Sequence, residues 1–501
     1  MAGLKPGRPG ALATTALAAF SWCYSPLMTL PGSRRAFHWL LASLVAMAAL
    51  VLGFAVAENA PGSGSGRHVV VISIDGMPSS YYMQPPPGLQ IPNIRRLMSE
   101  GSFAEAVEGV YPTVTYPSHT TIVTGRMPAG HGIYTNLSSR QAGKNSQDWF
   151  WFAKAIRAHT LWQEAEEQGL TTASVAWPVT VDSGIDWNVP EIWNPAKGEH
   201  ADALYVARFM NPITALQVGL ALGMPQPGTE DDLNRTRLIS YFIAKHRPNL
   251  TLLHLEGLDA TQHETGPRVP EANAALERID AHVGELLATI KEAGMQDSTD
   301  VFIVSDHGFL PIRRDLRPNM LLVKAGLLTA DAKGEISGGR IATVSNDGSF
   351  FIYWQGCSPG MAAQVEAALK PLQEQKLLFA SFGRQDLHRM GADPEACLAL
   401  EALDGDEFSQ SGAGDLVSVF ERQKGTHGYL PSRPGLECSF IAWGPDIKSG
   451  FDLHRIELTE EGPTILAALG IHDPRFGDKP PIQAIFKQEP NQSQPAAGSG
   501  R

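Results

Sequence analysis

Val69-Val70-Val71-Ile72-Ser73-Ile74 is an almost unbroken apolar run dominated by β-branched residues. A strand that is apolar on both sides must be covered on both sides, so this run predicts a sheet layered between helices. Similar runs recur at Thr251–Leu255, Val301–Val304 and Ser439–Ala442. Helical patterns lie between them, most clearly from Glu271 to Ala293. There Leu276, Ile279, Val283, Leu286 and Ile290 share one face at 3.6-residue spacing, and Gly294 offers a stop. Strands alternating with long helices predict an α/β fold with a largely parallel central sheet and helices on both faces. Two stretches break the rhythm and read as insertions on that sheet. Residues 140–235 are rich in tryptophan (Trp149, Trp151, Trp162, Trp177, Trp187, Trp193), and residues 310–420 hold several short elements.

The ends of the chain read differently from its body. Arg34-Arg35-Ala36-Phe37 precedes an apolar run from Trp39 to Ala57 that closes on Ala55-Val56-Ala57, a small-x-small pattern suited to signal cleavage. The paired arginines before Phe37 resemble a twin-arginine export signal, and Met28 would serve as a start that leaves a compact charged region. The run is also nearly long enough to stay as a membrane anchor. Residues 1–57 are therefore expected to be a signal peptide or an anchor and residues 58–66 a linker. The catalytic body is expected over 67–487, followed by a Pro/Gln/Ser/Gly-rich disordered tail at 488–501. Either reading of the leader places the body outside the cytoplasm, in a periplasmic or extracellular space. The net charge is −12 and no Lys/Arg cluster stands out in the body, which disfavours binding to a nucleic-acid duplex. No cysteine pair has metal-binding spacing. Among Cys357, Cys397 and Cys438 at most one disulfide can form, and the sequence leaves open which.

Chemistry-bearing side chains gather at strand ends. Asp75 directly follows the first apolar run. Asp259 and His263 follow the second, and Asp306-His307-Gly308 follows the third. His427 lies in Gly425-Thr426-His427-Gly428-Tyr429. In open α/β sheets ligands bind at the carboxyl ends of strands, so these four places can converge. Asp oxygens with His nitrogens favour zinc, and the number of ligands suits two ions. The Asp259-x-x-x-His263 spacing puts both side chains on one face if that turn is helical. Taken singly, each element is as readily a turn residue or helix cap; their order along the chain, each at a strand end, is what carries weight.

One more segment stands out: Pro112-Thr113-Val114-Thr115-Tyr116-Pro117-Ser118-His119, then Thr124-Gly125 and His131-Gly132-Ile133. It resembles the alkaline phosphatase superfamily, and within it the nucleotide pyrophosphatase/phosphodiesterase family, whose pattern is Pro-Thr-x-Thr-Phe-Pro-Asn-His. The resemblance continues through Leu161-Trp162, Trp177-Pro178, Asp259-x-x-x-His263-x-x-Gly266-Pro267, Ser305-Asp306-His307-Gly308, Gly425-x-His427-Gly428-Tyr429 and Gly444-Pro445. It implies an alkaline-phosphatase-like fold and two zinc ions. It also implies that Thr115 is the nucleophile, that Asp75, Asp306 and His307 hold the zinc that also binds Thr115, and that Asp259, His263 and His427 hold the other. A threonine hydroxyl needs such activation to attack at neutral pH. If Thr115 starts a helix, its free N–H groups also favour an anion there. The chain departs from the pattern at Ser118, where the family has an asparagine that binds phosphate, and at Tyr116, where it has phenylalanine. Ser118 is expected to take the donor role through its hydroxyl.

The expected activity is hydrolysis of phosphodiesters or pyrophosphates, on a small nucleotide or lipid diester. Phosphonate hydrolysis, phosphomonoester hydrolysis and a non-catalytic metal-binding relative remain alternatives. A sulfatase is disfavoured because no Cys/Ser-x-Pro-x-Arg motif is present, and a phosphoethanolamine transferase because such enzymes carry several membrane spans. Oligomeric state is not legible.

Overall fold

The apolar runs form the middle of one eight-stranded sheet. A computed structural model describes residues 66–138, 149–194, 203–222 and 231–487. The leader (1–57), nearly all of the linker and the tail (488–501) lie outside the described residues. Among the described residues, no helix is long and apolar enough to cross a membrane. The sheet strands are β1 (His68–Ile74), β2 (Ser102–Phe103), β3 (Thr172–Val175), β4 (Trp187–Val189), β5 (Leu250–Leu255), β6 (Thr299–Val304), β7 (Phe440–Trp443) and β8 (Phe451–Asp452). Their spatial order is β8-β2-β7-β6-β1-β5-β3-β4. β1 pairs in parallel with both β5 and β6, and β7 runs antiparallel to β6 and β2.

Side chains of a strand alternate between faces, and here both faces are covered. Val69, Val71, Leu252, Phe302 and Phe440 enter one apolar cluster, whereas Val70, Ile72, Leu253, Ile303 and Ile441 enter another. The second cluster is closed by the helix Pro270–Glu292, whose Leu276, Ile279, Val283, Leu286 and Ile290 are all buried. That helix ends as the sequence implies: Ala293 caps it and Gly294 follows at φ +67, in the left-handed region that favours glycine. Strand pairing also sets the strand ends level. Ile74 lies opposite Leu255, and Ser73 opposite Val304. Whatever follows β1, β5 and β6 therefore meets at one edge.

The described body belongs to one compact unit, Gly64–Arg501. Within it, the 310–420 stretch builds further sheets. One has three strands, Gly405–Phe408, Leu310–Leu316 and Val417–Thr426. Another is an antiparallel four-stranded sheet around Ser349–Tyr353 and Leu398–Ala402, with its own apolar cluster about Phe350, Ile352 and Leu369. That sheet answers the cysteine question. Ile352 pairs with Leu398, so Cys357 and Cys397 come to the same end and form a disulfide, while Cys438 is free and buried. Replacing both Cys357 and Cys397 by Ser frees a 40-residue loop in the unfolded chain. It is expected to lower stability by about 2–4 kcal/mol, read from the shift in the urea unfolding midpoint.

Candidate active site

Asp75 directly follows β1, and Asp306 and His307 follow β6 after Ser305. Asp259 and His263 sit one turn apart on the helix Gly257–Thr265 that leaves β5, which is what the i, i+4 spacing requires. His427 follows the strand Val417–Thr426 and reaches the same edge from the inserted sheet. All four places come together. His307 Nε2 lies 3.4 Å from Asp75 Oδ1 and 3.2 Å from Asp306 Oδ2. His263 Nε2 is 3.2 Å from His427 Nε2 and 3.5 Å from Asp259 Oδ2, and His427 Nε2 is 3.7 Å from Asp259 Oδ1. The rings of His307 and His427 stack at 3.7 Å.

These groups do not satisfy one another. His427 Nδ1 donates to the Thr113 carbonyl (2.9 Å) and His307 Nδ1 faces the Gly308 carbonyl (3.2 Å). That fixes the proton on Nδ1 and leaves each Nε2 as a bare lone pair. Asp75 Oδ1, Asp259 Oδ1, Asp306 Oδ2 and His307 Nε2 are buried with no hydrogen-bond partner. Buried acceptors of this kind, facing each other with no donor between them, need a cation. The ligand atoms of Asp259, His263 and His427 lie within 4.8 Å of one another, as do those of Asp75, Asp259 and His307. Asp259 thus belongs to both groups.

Without a cation the cost of the arrangement appears in the proton affinities. Burial, then the charges of Asp306 and Asp259, push the Asp75 carboxyl well above the usual range. Burial pushes Asp306 up to about 7 against the pull of His254. Burial, then the neighbouring imidazoles, holds His307 and His427 well below the ordinary histidine value.

Thr115 is the first residue of the helix Thr115–Thr124; the N-cap is Val114, which offers no side-chain bond to the helix end. Thr115 lines a cavity of about 670 Å³ together with Asp75, Asp259, His263 and His427. Ser118 does not line it. It lies three residues further along the helix, roughly 4.5 Å deeper along the axis, and is fully buried with an unpartnered Oγ. The structure brings Asn136 there instead. Its Oδ1 accepts the Tyr116 N–H (2.9 Å), and it lines the cavity beside Thr115. With Oδ1 fixed by an N–H donor, the free end of this amide is its Nδ2 donor. Only the tertiary path of the loop after His131-Gly132-Ile133 brings Asn136 to Thr115, and no local spacing announces it.

The sequence also leaves silent a hydrogen-bonded chain behind the site. His254 Nε2 meets Asp75 Oδ2 (2.8 Å) and its Nδ1 meets Glu191 Oε2 (3.0 Å), while Glu191 Oε1 accepts from the Tyr116 hydroxyl (2.8 Å). Tyr116, where phenylalanine was expected, thus ties the start of the Thr115 helix to Asp75. His119, whose Nδ1 bonds the Thr115 carbonyl, is anchored to Ser73 of β1 (2.9 Å). In the cavity wall Trp149 packs on Tyr116 and Trp193 at 5.1 and 4.7 Å.

The model of the type I phosphodiesterase / nucleotide pyrophosphatase family matches residues 69–366. The chain belongs to that family. Its curated relatives include ectonucleotide pyrophosphatase/phosphodiesterase family member 1 of Homo sapiens, 28% identical over 48% of this chain and 23% of the relative. A bis(5'-adenosyl)-triphosphatase of Bos taurus is 27% identical over 50% of each chain. A venom phosphodiesterase of Naja atra is 25% identical over 81% of this chain and 44% of the relative. The matched region thus spans about a quarter to a half of those relatives. Among solved structures, murine ectonucleotide pyrophosphatase/phosphodiesterase 5 in complex with AMP superposes with a TM-score of 0.62 at 19% identity. It covers 84% of this chain and 100% of that one, and so establishes the shared alkaline-phosphatase-like fold.

The proton affinities predict how the metal-stripped protein responds to pH. His307 and His427 are neutral in the folded state across the range above about pH 6.5, and their titration in the unfolded chain is common to the metal-stripped and metal-loaded forms. Asp306, which titrates near 3.8 unfolded, still holds its proton up to about 7 when folded without metal, and Asp75 is shifted in the same direction. The metal-stripped folded state thus holds protons that the metal-loaded one does not, so it loses stability relative to the loaded form as pH rises. Against metal-loaded protein, chelator-treated protein is expected to lose on the order of 1 kcal/mol between about pH 6.5 and pH 8. The loaded protein's carboxylates are already ionised against a cation; thermal melts of both forms across that window make the test.

Proposed function

We propose that this chain is an exported, two-zinc hydrolase of phosphodiesters and phosphoanhydrides that works through a covalent phospho-threonine at Thr115. The observation that carries the reading is the set of buried, donorless acceptors beside Thr115: Asp75 Oδ1, Asp259 Oδ1, Asp306 Oδ2 and His307 Nε2. Asp75, Asp306 and His307 would hold one ion and Asp259, His263 and His427 the other, with Asp259 leaning toward both. When bound, the ions supply charge neutralisation and lower the pKa of an attacking hydroxyl.

The chain's own residues do the rest. Thr115 presents its hydroxyl at a helix start where N–H groups favour an anion. Its Oγ1 loses a proton to solvent and forms a bond to phosphorus as the bond to one ester oxygen breaks; that oxygen leaves with the electron pair and takes a proton from solvent. Water then attacks the phosphorus, giving up a proton, and Thr115 Oγ1 leaves with the bonding pair and is reprotonated. Asn136 Nδ2 donates to a non-bridging phosphate oxygen, the role the sequence assigned to Ser118. The His254–Glu191–Tyr116 chain holds Asp75 and the Thr115 helix in one register. The Cys357–Cys397 disulfide and the export-like leader both support an oxidising, extracytoplasmic compartment. Purified without chelator, the protein should carry two zinc ions per chain by elemental analysis. Thr115→Ala should cut kcat toward bis(4-nitrophenyl) phosphate by roughly a thousandfold or more without releasing zinc. Zinc-free protein that retains full activity would sink the proposal.

A diester is the better substrate because none of the described residues at the site answers a second charge on the reacting phosphate. Enzymes for monoesters supply an arginine clamp or a further cation. Here Arg126 is ion-paired with Asp478 at 2.9 Å, and Arg235 with Glu256 at 2.6 Å. Bis(4-nitrophenyl) phosphate should therefore exceed 4-nitrophenyl phosphate in kcat/KM. Asn136→Ala should lower the diester value by about 10–100-fold, whereas Ser118→Ala should leave it nearly unchanged.

A further inference from the structure

The cavity carries more negative charge than its metal ligands account for. Of its carboxylates, Asp75 and Asp259 face the candidate ions and Glu191 takes His254. Glu256 is paired with Arg235, and Glu264 with Arg422 at 3.3 Å. Two remain with no Lys or Arg partner among the described residues: Asp231, at the start of the helix Asp231–His246, and Asp347, whose carboxyl is raised by burial and drawn back by His263. Asp347 sits at φ +57 in the tight turn between Ala342–Asn346 and Ser349–Tyr353, a conformation that Asp tolerates through its short polar side chain. The turn is clamped by the Gly348 N–H to the His427 carbonyl at 2.8 Å, which presents Asp347 beside the Asp259, His263 and His427 group. Burial and Asp347 together lift a further carboxyl behind it, Glu407, to about 8.

Among the described lining residues Arg235 is the one Lys or Arg, and it has no spare charge. Its guanidinium is spent on Glu256 and on the His254 carbonyl (3.2 Å). The rest of the wall is largely apolar, with Val206, Met210, Val218, Leu238, Ile192 and Trp193. Family membership does not dictate this balance: a pocket for polyphosphates would put basic side chains where this one has Asp231 and Asp347.

We propose that, among phosphodiesters and phosphoanhydrides, the cavity favours phosphodiesters whose alcohol groups bring no negative charge beyond the reacting phosphate over nucleotides that carry a further phosphate. The inference rests on the hydrolase reading above. In a low-dielectric cavity an added phosphate dianion meets Asp231 and Asp347 with little screening, so the penalty falls on binding. A nucleoside polyphosphate or a dinucleoside polyphosphate would meet the same penalty. A diester with an uncharged or cationic, mainly apolar alcohol would not.

A matched pair of substrates tests this, because both release 4-nitrophenol: the 4-nitrophenyl ester of thymidine 5'-monophosphate, and the same ester bearing a 3'-phosphate. On the full-length, zinc-loaded protein the 3'-phosphate should lower kcat/KM by roughly tenfold or more, chiefly through KM. In the Asp231→Asn/Asp347→Asn variant the penalty should shrink to about threefold or less. Each single variant, checked by thermal melt, covers the case in which the double variant does not fold. Equal or better cleavage of the 3'-phosphorylated ester overturns the inference, as does an unchanged ratio in the folded variants. If neither ester is cut, the hydrolase reading fails, and the charge rule is then read by calorimetry. Thymidine 3',5'-bisphosphate should bind more weakly than thymidine 5'-monophosphate, and equal or tighter binding overturns the rule.

Discussion

Everything at this site depends on a charge imbalance that the fold enforces. Three carboxylate oxygens and the His307 Nε2 are buried at the level ends of β1, β5 and β6, and the protein gives these atoms no donors. Leaving such groups unpaired in an apolar surrounding costs several kcal/mol each, so the native arrangement makes physical sense only around cations. The sheet core holds the edge rigid. Six of the seven β1 residues are buried, flanked by parallel partners on both sides. Movement of one ligand relative to another would require repacking the centre of the molecule, which close-packed interiors resist.

Behind the ligands, hydrogen bonds do what packing alone does not. His254 has both ring nitrogens against acceptors, Asp75 on one side and Glu191 on the other, so it donates from both and carries a proton on each. Burial alone would lower its proton affinity, but the two carboxylates reverse that and raise it. The result is a fixed cation behind Asp75, linked through Glu191 and the Tyr116 hydroxyl to the helix that begins at Thr115. Ligand and nucleophile are thereby held by one continuous network, and networks of this kind fix geometry at metal sites. The tyrosine that departs from the family pattern supplies the last bond in that network, so the departure at Tyr116 has a structural reason.

The inserted segments complete the site. His427 arrives on a strand that pairs with Leu310–Leu316, outside the central sheet, and Asp347 comes from a neighbouring turn. The tryptophan-rich stretch supplies Trp149 and Trp193 to the cavity wall, and Trp177 packs edge-on against His119 at 5.0 Å. Shared chemistry thus rests on the sheet edge, while the surroundings that choose a substrate come from chain that the central fold does not need.

The sequence by itself determined the layered fold and the metal-type side chains. A continuous β-branched run can be satisfied only as a doubly covered strand, and a helix such as Pro270–Glu292 announces its buried face by spacing. Asp75, Asp259, His263, Asp306, His307 and His427 were legible for the same reason: each lies within a few residues of an element whose period is visible in the chain. Only the tertiary structure decided the rest. Asn136 meets the Thr115 helix through a loop with no period, His254 lies unmarked within an apolar strand, and Glu191 and Asp347 come from segments whose route over the sheet no local pattern encodes. Ser118 is the converse case. Its position in the motif suggested contact with substrate, but a helix that starts at Thr115 carries residue 118 a turn deeper, into the core. Local spacing fixes which face of an element a side chain shares; how far it stands from a ligand depends on how separate elements are stacked, and that is set by contacts between residues far apart in the chain.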